Sequence, residues 1–245
     1  MVKINFIKRC IHVSTTNWKH VVPNKSKGKG TSSTNWLTRQ LSDPYVEKAK
    51  MMNYRCRSAF KLIEIDDRHK FLTPGKVIID CGAAPGSWTQ VAVHRTNANA
   101  ADDNDFKGMV IAVDKQPMFA MPGAVMLGNS DFTSSVVQDN IKSILDGKQA
   151  DAVISDMAPN CSGIKQLDDE NMINLCYTAF RFAVLVSKVD AVLLVKLWQS
   201  GYTKTLQTDM EKFYNHVKIV KPNASRSDSA EIYLIAKKFK GLKVS

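Results

Sequence analysis

Between Lys76 and Ala236 the sequence alternates short apolar runs with longer segments of helical periodicity, and few folds accommodate that rhythm. KVIIDC (76–81), MVIAVD (109–114), AVMLG (124–128), DAVISD (151–156) and AVLLVKLW (191–198) are rich in Val, Ile and Leu. Such near-continuous apolar runs are what strands covered on both faces require. Helical patterns fall between and after them, at about 87–97, 134–146, 169–187 and 203–215. A strand, a helix and a further strand read as a parallel pair with a right-handed crossover, and repetition of that unit predicts a doubly wound α/β sheet. The last two runs, HVKIVK (216–221) and EIYLIA (231–236), are separated only by 222–230. That is too short for a crossover helix, so the seven-stranded, mostly parallel sheet should end in an antiparallel pair.

Upstream, Asp43 and Pro44 have the character of an N-cap followed by a first helical residue. RSAFKLIEIDDRHKFL (57–72) then carries Ala59, Phe60, Leu62 and Ile63 on an apolar face and Arg57, Lys61, Glu64 and Arg68 on a polar one, until TPG (73–75) stops it. Residues 94–108 form a polar insertion expected to be a surface loop.

A chain of 245 residues can bury one large core. No apolar run approaches the roughly 20 residues that span a bilayer, so no membrane span is expected. The formal charge of +11 sits mostly at the ends: residues 1–42 hold eight Lys and Arg and no acid. Alternating apolar and basic residues with hydroxyls over the first 20 positions have the composition of a mitochondrial transit peptide, and a basic arm that touches RNA is the alternative. VPNKSKGKGTSST (22–34) reads as a disordered linker. The expected organisation is therefore 1–34 as transit peptide and linker and 35–245 as one domain, in the mitochondrial matrix. The five cysteines are odd in number and never form C-x-x-C, which suggests free thiols and no metal site.

In an open parallel sheet the ligand sits beyond the carboxyl ends of the strands. The first strand leads into DCGAAPGSW (80–88), where Gly82 and Gly86 permit a tight turn and Pro85 fixes the backbone before a helix. Ala84 stands where a dinucleotide fingerprint needs its second glycine, and there is no G-K-[ST]. The loop suits a ligand carboxylate at a helix start better than a pyrophosphate. S-adenosylmethionine has such a carboxylate and no phosphate. Asp114, ending the second strand, could hold ribose hydroxyls, and Asp131 after the third could take an adenine amino group, unless both merely cap loops.

The fifth run is interrupted by Lys196, and an ammonium group in that setting is costly unless something pairs with it. Asp156 ends the fourth strand in the stiff SDMAPN, Glu231 opens the last strand, and Lys61 projects from the early helix. These four could converge beside the cofactor's methyl group. Taken alone, Lys61 would pair with Glu64 one helical turn on, and Glu231 would face solvent. At its reference pKa a lysine is neutral only about 0.04% of the time at pH 7, so a base role needs help from its surroundings.

RSAFKL, DCGAAPGSW, SDMAPN, the lysine of LLVKLW and KPNASRSDSAEIYLIA together resemble the FtsJ/RrmJ family of ribosomal RNA ribose 2′-O-methyltransferases, over residues 36–238 and most closely its mitochondrial members. The resemblance implies a Rossmann-like S-adenosylmethionine-dependent methyltransferase fold and a catalytic tetrad of Lys61, Asp156, Lys196 and Glu231. It implies cofactor contacts along the Gly82, Pro85, Gly86, Ser87 and Trp88 loop and at Asp114, Asp131 and Asp156; Ser87 departs from the glycine of bacterial relatives. It further implies a monomer that methylates a uridine ribose in the A-loop of large-subunit ribosomal RNA, alone or within a pre-ribosomal particle. A non-catalytic assembly factor and an mRNA-cap 2′-O-methyltransferase are the alternatives. Arg55, Arg57 and Arg226 are candidate phosphate contacts beside the site.

Overall fold

The computed structural model describes residues 40–242; the transit peptide and linker expected over 1–34 lie outside them. Residues 40–47 belong to a short N-terminal unit, in which the Asp43 carboxylate accepts the Tyr45 amide at 3.0 Å and caps α1 (Pro44–Met51), as the Asp-Pro pair predicts. Lys48 begins the body. In chain order it contains α2 (Ala59–His69), β1 (Val77–Cys81), α3 (Ser87–Arg95), β2 (Met109–Val113), β3 (Ala124–Leu127), α4 (Ser135–Leu145), β4 (Ala150–Ser155), α5 (Lys165–Val186), β5 (Ser187–Trp198), α6 (Tyr202–Phe213), β6 (Tyr214–Val220) and β7 (Glu231–Phe239).

The strands form one sheet in the order β3-β2-β1-β4-β5-β7-β6. The first five are parallel, while β7 runs antiparallel to both of its neighbours. This is the Rossmann-like methyltransferase layout with a terminal antiparallel pair. Its last strand in sequence lies inside the sheet, so Trp198 faces Glu231 and Lys196 faces Tyr233 across β5 and β7.

Alternation along the strands divides the core in two. Ile79, Leu193, Val195, Leu197, Ile232 and Leu234 join α4, α5 and α6 on one face. Ile78, Leu194, Tyr233 and Ile235 join Ala59, Leu62, Ile65 and Trp88 on the other. With a period of two, Lys196 and Glu231 belong to this second face, which α2 covers. On α2 the buried stripe is Ala59, Phe60, Leu62 and Ile65, and Ile63 is only half-buried. The stripe thus runs one position further round than the local pattern suggests.

The 94–108 segment is less superficial than its polarity implies. Thr96, Asn97 and Ala98 are buried. The Asn97 amide donates to the carbonyl of Asp102 at 2.8 Å and accepts its amide at 3.1 Å, so this side chain organises the loop from within. Residues 99–107 are exposed.

Candidate active site and cofactor pocket

The carboxyl ends of β1, β2 and β4 open onto a pocket of about 500 Å³, bounded by Gly82, Asp114, Asp131, Phe132, Asp156 and Met157, with Asn171, Asn174 and Leu175 from α5. Gly82 is required by two independent constraints. Its φ is +78°, and a Cβ there would come within 2.5 Å of the Met157 side chain and 2.8 Å of its backbone nitrogen. Gly86 has φ +107°, and a Cβ would meet Arg55 Nη1 at 2.6 Å. That guanidinium donates to the carbonyls of Pro85 (2.8 Å), Phe119 (3.2 Å) and Ala120 (3.1 Å), tying the glycine loop to the segment after β2. Arg55 is therefore engaged with backbone, and Arg57 likewise donates to the Ala224 carbonyl.

Of the residues the sequence singles out for the cofactor, Gly82, Asp114, Asp131 and Asp156 line this pocket. Ser87 and Trp88 point elsewhere. The Ser87 hydroxyl lies 2.7 Å from that of Ser58 and 3.0 Å from the Cys56 thiol, while the buried Trp88 indole donates to the Ser58 carbonyl at 2.9 Å and packs on Tyr233. Their contribution is to fix α3 against the chain entering α2. Pro85 and Gly86 form the turn itself, and Gly86 is the N-cap of α3.

Asp114 accepts the Ala84 amide at 2.9 Å and the Gln116 amide at 2.7 Å, one on each oxygen. It caps the loops and still has lone pairs directed to the pocket, because each carboxylate oxygen can accept more than one bond. Asp131 is partly buried, which favours its neutral form, but the Thr133 hydroxyl and amide and Lys115 at 3.1 Å outweigh this and hold its pKa below the ordinary value. Beneath them Asp80 is completely buried; one oxygen accepts the Thr89 hydroxyl at 2.7 Å and the other has no partner among the described residues. Burial lifts its pKa to about 7 against the pull of Thr89, and the carboxylates of Asp156 and Asp114 add to the rise.

These features fit S-adenosylmethionine. The volume lies in the range of small-molecule sites. Acceptors for ribose and adenine are in place, apolar walls come from Val113, Phe132, Met157 and Leu175, and three neighbouring carboxylates favour a cation.

The four tetrad candidates do converge, as two ion pairs. Lys61 Nζ is 2.7 Å from each Glu231 oxygen, reaching 170 positions along the chain. Lys196 Nζ is 3.1 Å from Asp156 Oδ1 and also donates to the Asp156 carbonyl. All four side chains are between 10% and 16% exposed, accessible to a substrate but mostly out of water. The answer to a lysine at the end of a buried strand is thus a carboxylate on the adjoining strand.

Sequence reasoning misses two members of this network. The Tyr233 hydroxyl donates to Asp156 Oδ1 at 2.9 Å, and burial followed by the charges of Asp156 and Glu231 keeps the phenol protonated. The Ser225 hydroxyl lies 2.7 Å from Glu231 Oε1. Glu231 is depressed in pKa: its burial acts upward, but Lys61, Ser225 and Lys196 together prevail. The Lys196 to Tyr233 register was the available signal, and it could be read only once β7 was known to pair with β5.

The chain as a whole has counterparts among known proteins. The FtsJ-like methyltransferase profile matches residues 54–239. The chain is 53% identical over 219 residues to the mitochondrial rRNA methyltransferase 2 of Drosophila melanogaster, covering 89% of this chain and 88% of that protein. It is 44% identical over 218 residues to ribosomal RNA large subunit methyltransferase E of Parvibaculum lavamentivorans, covering 88% and 85% of the two chains. Among solved structures, a ribosomal RNA methyltransferase of Plasmodium falciparum superposes with a TM-score of 0.67 at 31% identity, over 77% of this chain and all of that one.

Proposed function

Because the chain belongs to the FtsJ-like methyltransferase family, we propose that it methylates the ribose 2′-hydroxyl of a uridine in the A-loop of mitochondrial large-subunit ribosomal RNA, in the matrix, as part of ribosome assembly. The observation that carries the reading is the pairing of Lys61 with Glu231 and Lys196 with Asp156 at the edge of the cofactor pocket.

S-adenosylmethionine, when bound, supplies a methyl group on a positively charged sulfur, which the ribose oxygen accepts as it gives up its proton. Lys196, in its uncharged form, takes that proton. The Asp156 carboxylate and carbonyl hold its amine in position, and Tyr233 fixes Asp156 in turn. A base within hydrogen-bond reach contributes about 10²–10⁴-fold. Lys61, held by Glu231, orients the ribose from the other side, so the nucleophile arrives aligned. Asp114 and Asp131 hold the adenosine, Gly82 leaves room for it, and the Pro85–Gly86 turn and α3 carry the amino-acid end.

Incubation with labelled S-adenosylmethionine and either large-subunit ribosomal RNA or capped RNA is the test. Label in the ribosomal RNA supports the reading, label at the cap replaces it, and tight RNA binding without label would favour a non-catalytic assembly factor. A fluorescent fusion lacking residues 1–34 should stay in the cytosol if those residues direct import.

A further inference from the structure

A second depression lies where the end of β5 and the start of β7 meet the start of α5. It has a volume of about 350 Å³ and is walled by Trp198, Gln199, Ser229 and Ala230, with Cys161, Lys165, Asp168 and Asp169 from the segment that opens α5, where Lys165 pairs with Asp169. Trp198 sits directly opposite Glu231 across β5 and β7, and the Gln199 amide donates to the Ala230 carbonyl at 2.8 Å, so the depression is built on the same strand ends as the catalytic groups. Trp198 is two residues beyond Lys196, about 7 Å along a strand, which is the span of a nucleoside.

The indole packs only in part against the core. Leu197 already fills the core at this level, whereas Trp198 is only half-buried and leaves ring surface on the pocket. Gln199 is exposed at the rim and offers a donor and an acceptor. A large aromatic face beside a paired-polar rim is what a nucleobase requires. The cavity beyond Asp156 is the size of the cofactor and lies over the glycine loop, so a ribose presented to Lys196 must send its base the other way.

We infer that this depression receives the nucleobase of the nucleotide being methylated, turned out of its stack and laid on Trp198. The inference rests on the RNA methyltransferase reading given above. Trp198 is a positioning residue: it holds the base so that the attached ribose meets Lys196, and it touches no reacting atom.

Single-turnover methylation of a large-subunit ribosomal RNA fragment tests this, using the fragment intact and with an abasic ribose at the nucleotide that the wild-type enzyme methylates. Trp198→Ala should lower kcat/KM on intact RNA by about 10–100-fold, the range for one lost base–aromatic stack, mostly through KM. On abasic RNA the same substitution should change the rate by less than about threefold, because the stacking partner is already gone. Trp198→Leu, which keeps apolar bulk without a π face, should follow the alanine variant, and Trp198→Phe should stay near wild type. Unchanged S-adenosylmethionine affinity by calorimetry identifies folded enzyme. Equal losses on intact and abasic RNA, or a fully active Trp198→Leu, would overturn the assignment. Failure of the wild type to methylate the RNA at all would instead overturn the functional reading itself.

Discussion

The strands β1, β2 and β4 lead into carboxylates, Asp80, Asp114 and Asp156, whereas β5 and the facing helix α2 contribute lysines, Lys196 and Lys61. Asp114 and Asp156 line a pocket suited to a cationic cofactor, with Asp80 buried outside its lining; the lysines stand where a polyanionic substrate would arrive. One edge of one sheet thus presents opposite charge to its two ligands. The two regions meet at Asp156, which lines the pocket and holds Lys196, so the cofactor pocket and the proposed base share a single carboxylate.

Substitution of the lysine should separate the two regions most sharply. Lys196→Met keeps length and removes the exchangeable proton, and methyl transfer should fall by about 100-fold or more in single-turnover assays. Calorimetry should find S-adenosylmethionine affinity hardly altered in the variant, and methyl transfer at a near wild-type rate would return Lys196 to a structural role.

Salt should distinguish the regions next. RNA affinity should drop on the order of 100-fold between roughly 50 and 200 mM salt if about four phosphates are neutralised, whereas cofactor affinity responds weakly. A flat RNA response would point to docking through a protein on the ribosomal particle. On the acidic side, Asp114→Ala should weaken S-adenosylmethionine by about 1.5–3 kcal/mol, the worth of hydrogen bonds to a charged group, and leave RNA affinity unchanged. Equal cofactor affinity in the folded variant would remove Asp114 from the ribose.

The smallest effect concerns Asp80. Its pKa rises from 3.8 to about 7 on folding, chiefly through burial. The stability this proton confers is complete below the unfolded value and is lost as pH rises through about 7. Asp80→Asn cannot ionise, so its melting temperature relative to wild type should be several degrees more favourable at pH 8 than at pH 5, measured without ligand. A difference independent of pH would mean that Asp80 does not change ionisation on folding.

The fold was legible because the central strands β1, β2 and β4 are covered on both faces and announce themselves by runs of Val, Ile and Ala, while the edge strands β3 and β6 are partly exposed. KVIIDC and DAVISD become β1 and β4 to within one residue. The lysine in LLVKLW was legible for the same reason, as a charge where the pattern allows none. What stayed hidden depends on strand order. Tyr233 reads as one apolar residue among several until β7 is found beside β5. Trp88 carries the opposite lesson, since it stands in the glycine-loop motif and yet spends its indole on the Ser58 carbonyl and the Tyr233 ring. Arg55 stands out by charge as a candidate phosphate contact, and charge alone does not reveal the three backbone carbonyls that converge on it.

The position of β7 bears on when during synthesis the enzyme becomes competent. Among the described strands this one is the last in sequence, and it lies between two made before it, β5 and β6. It brings Glu231 to Lys61 and Tyr233 to Asp156 in the same insertion. A nascent chain that has formed the parallel half can assemble the cofactor pocket while its catalytic centre is still open. Loading of the methyl donor can therefore precede competence, because a chain interrupted before Glu231 holds the Lys196–Asp156 pair without the Glu231 and Tyr233 contacts that complete the network.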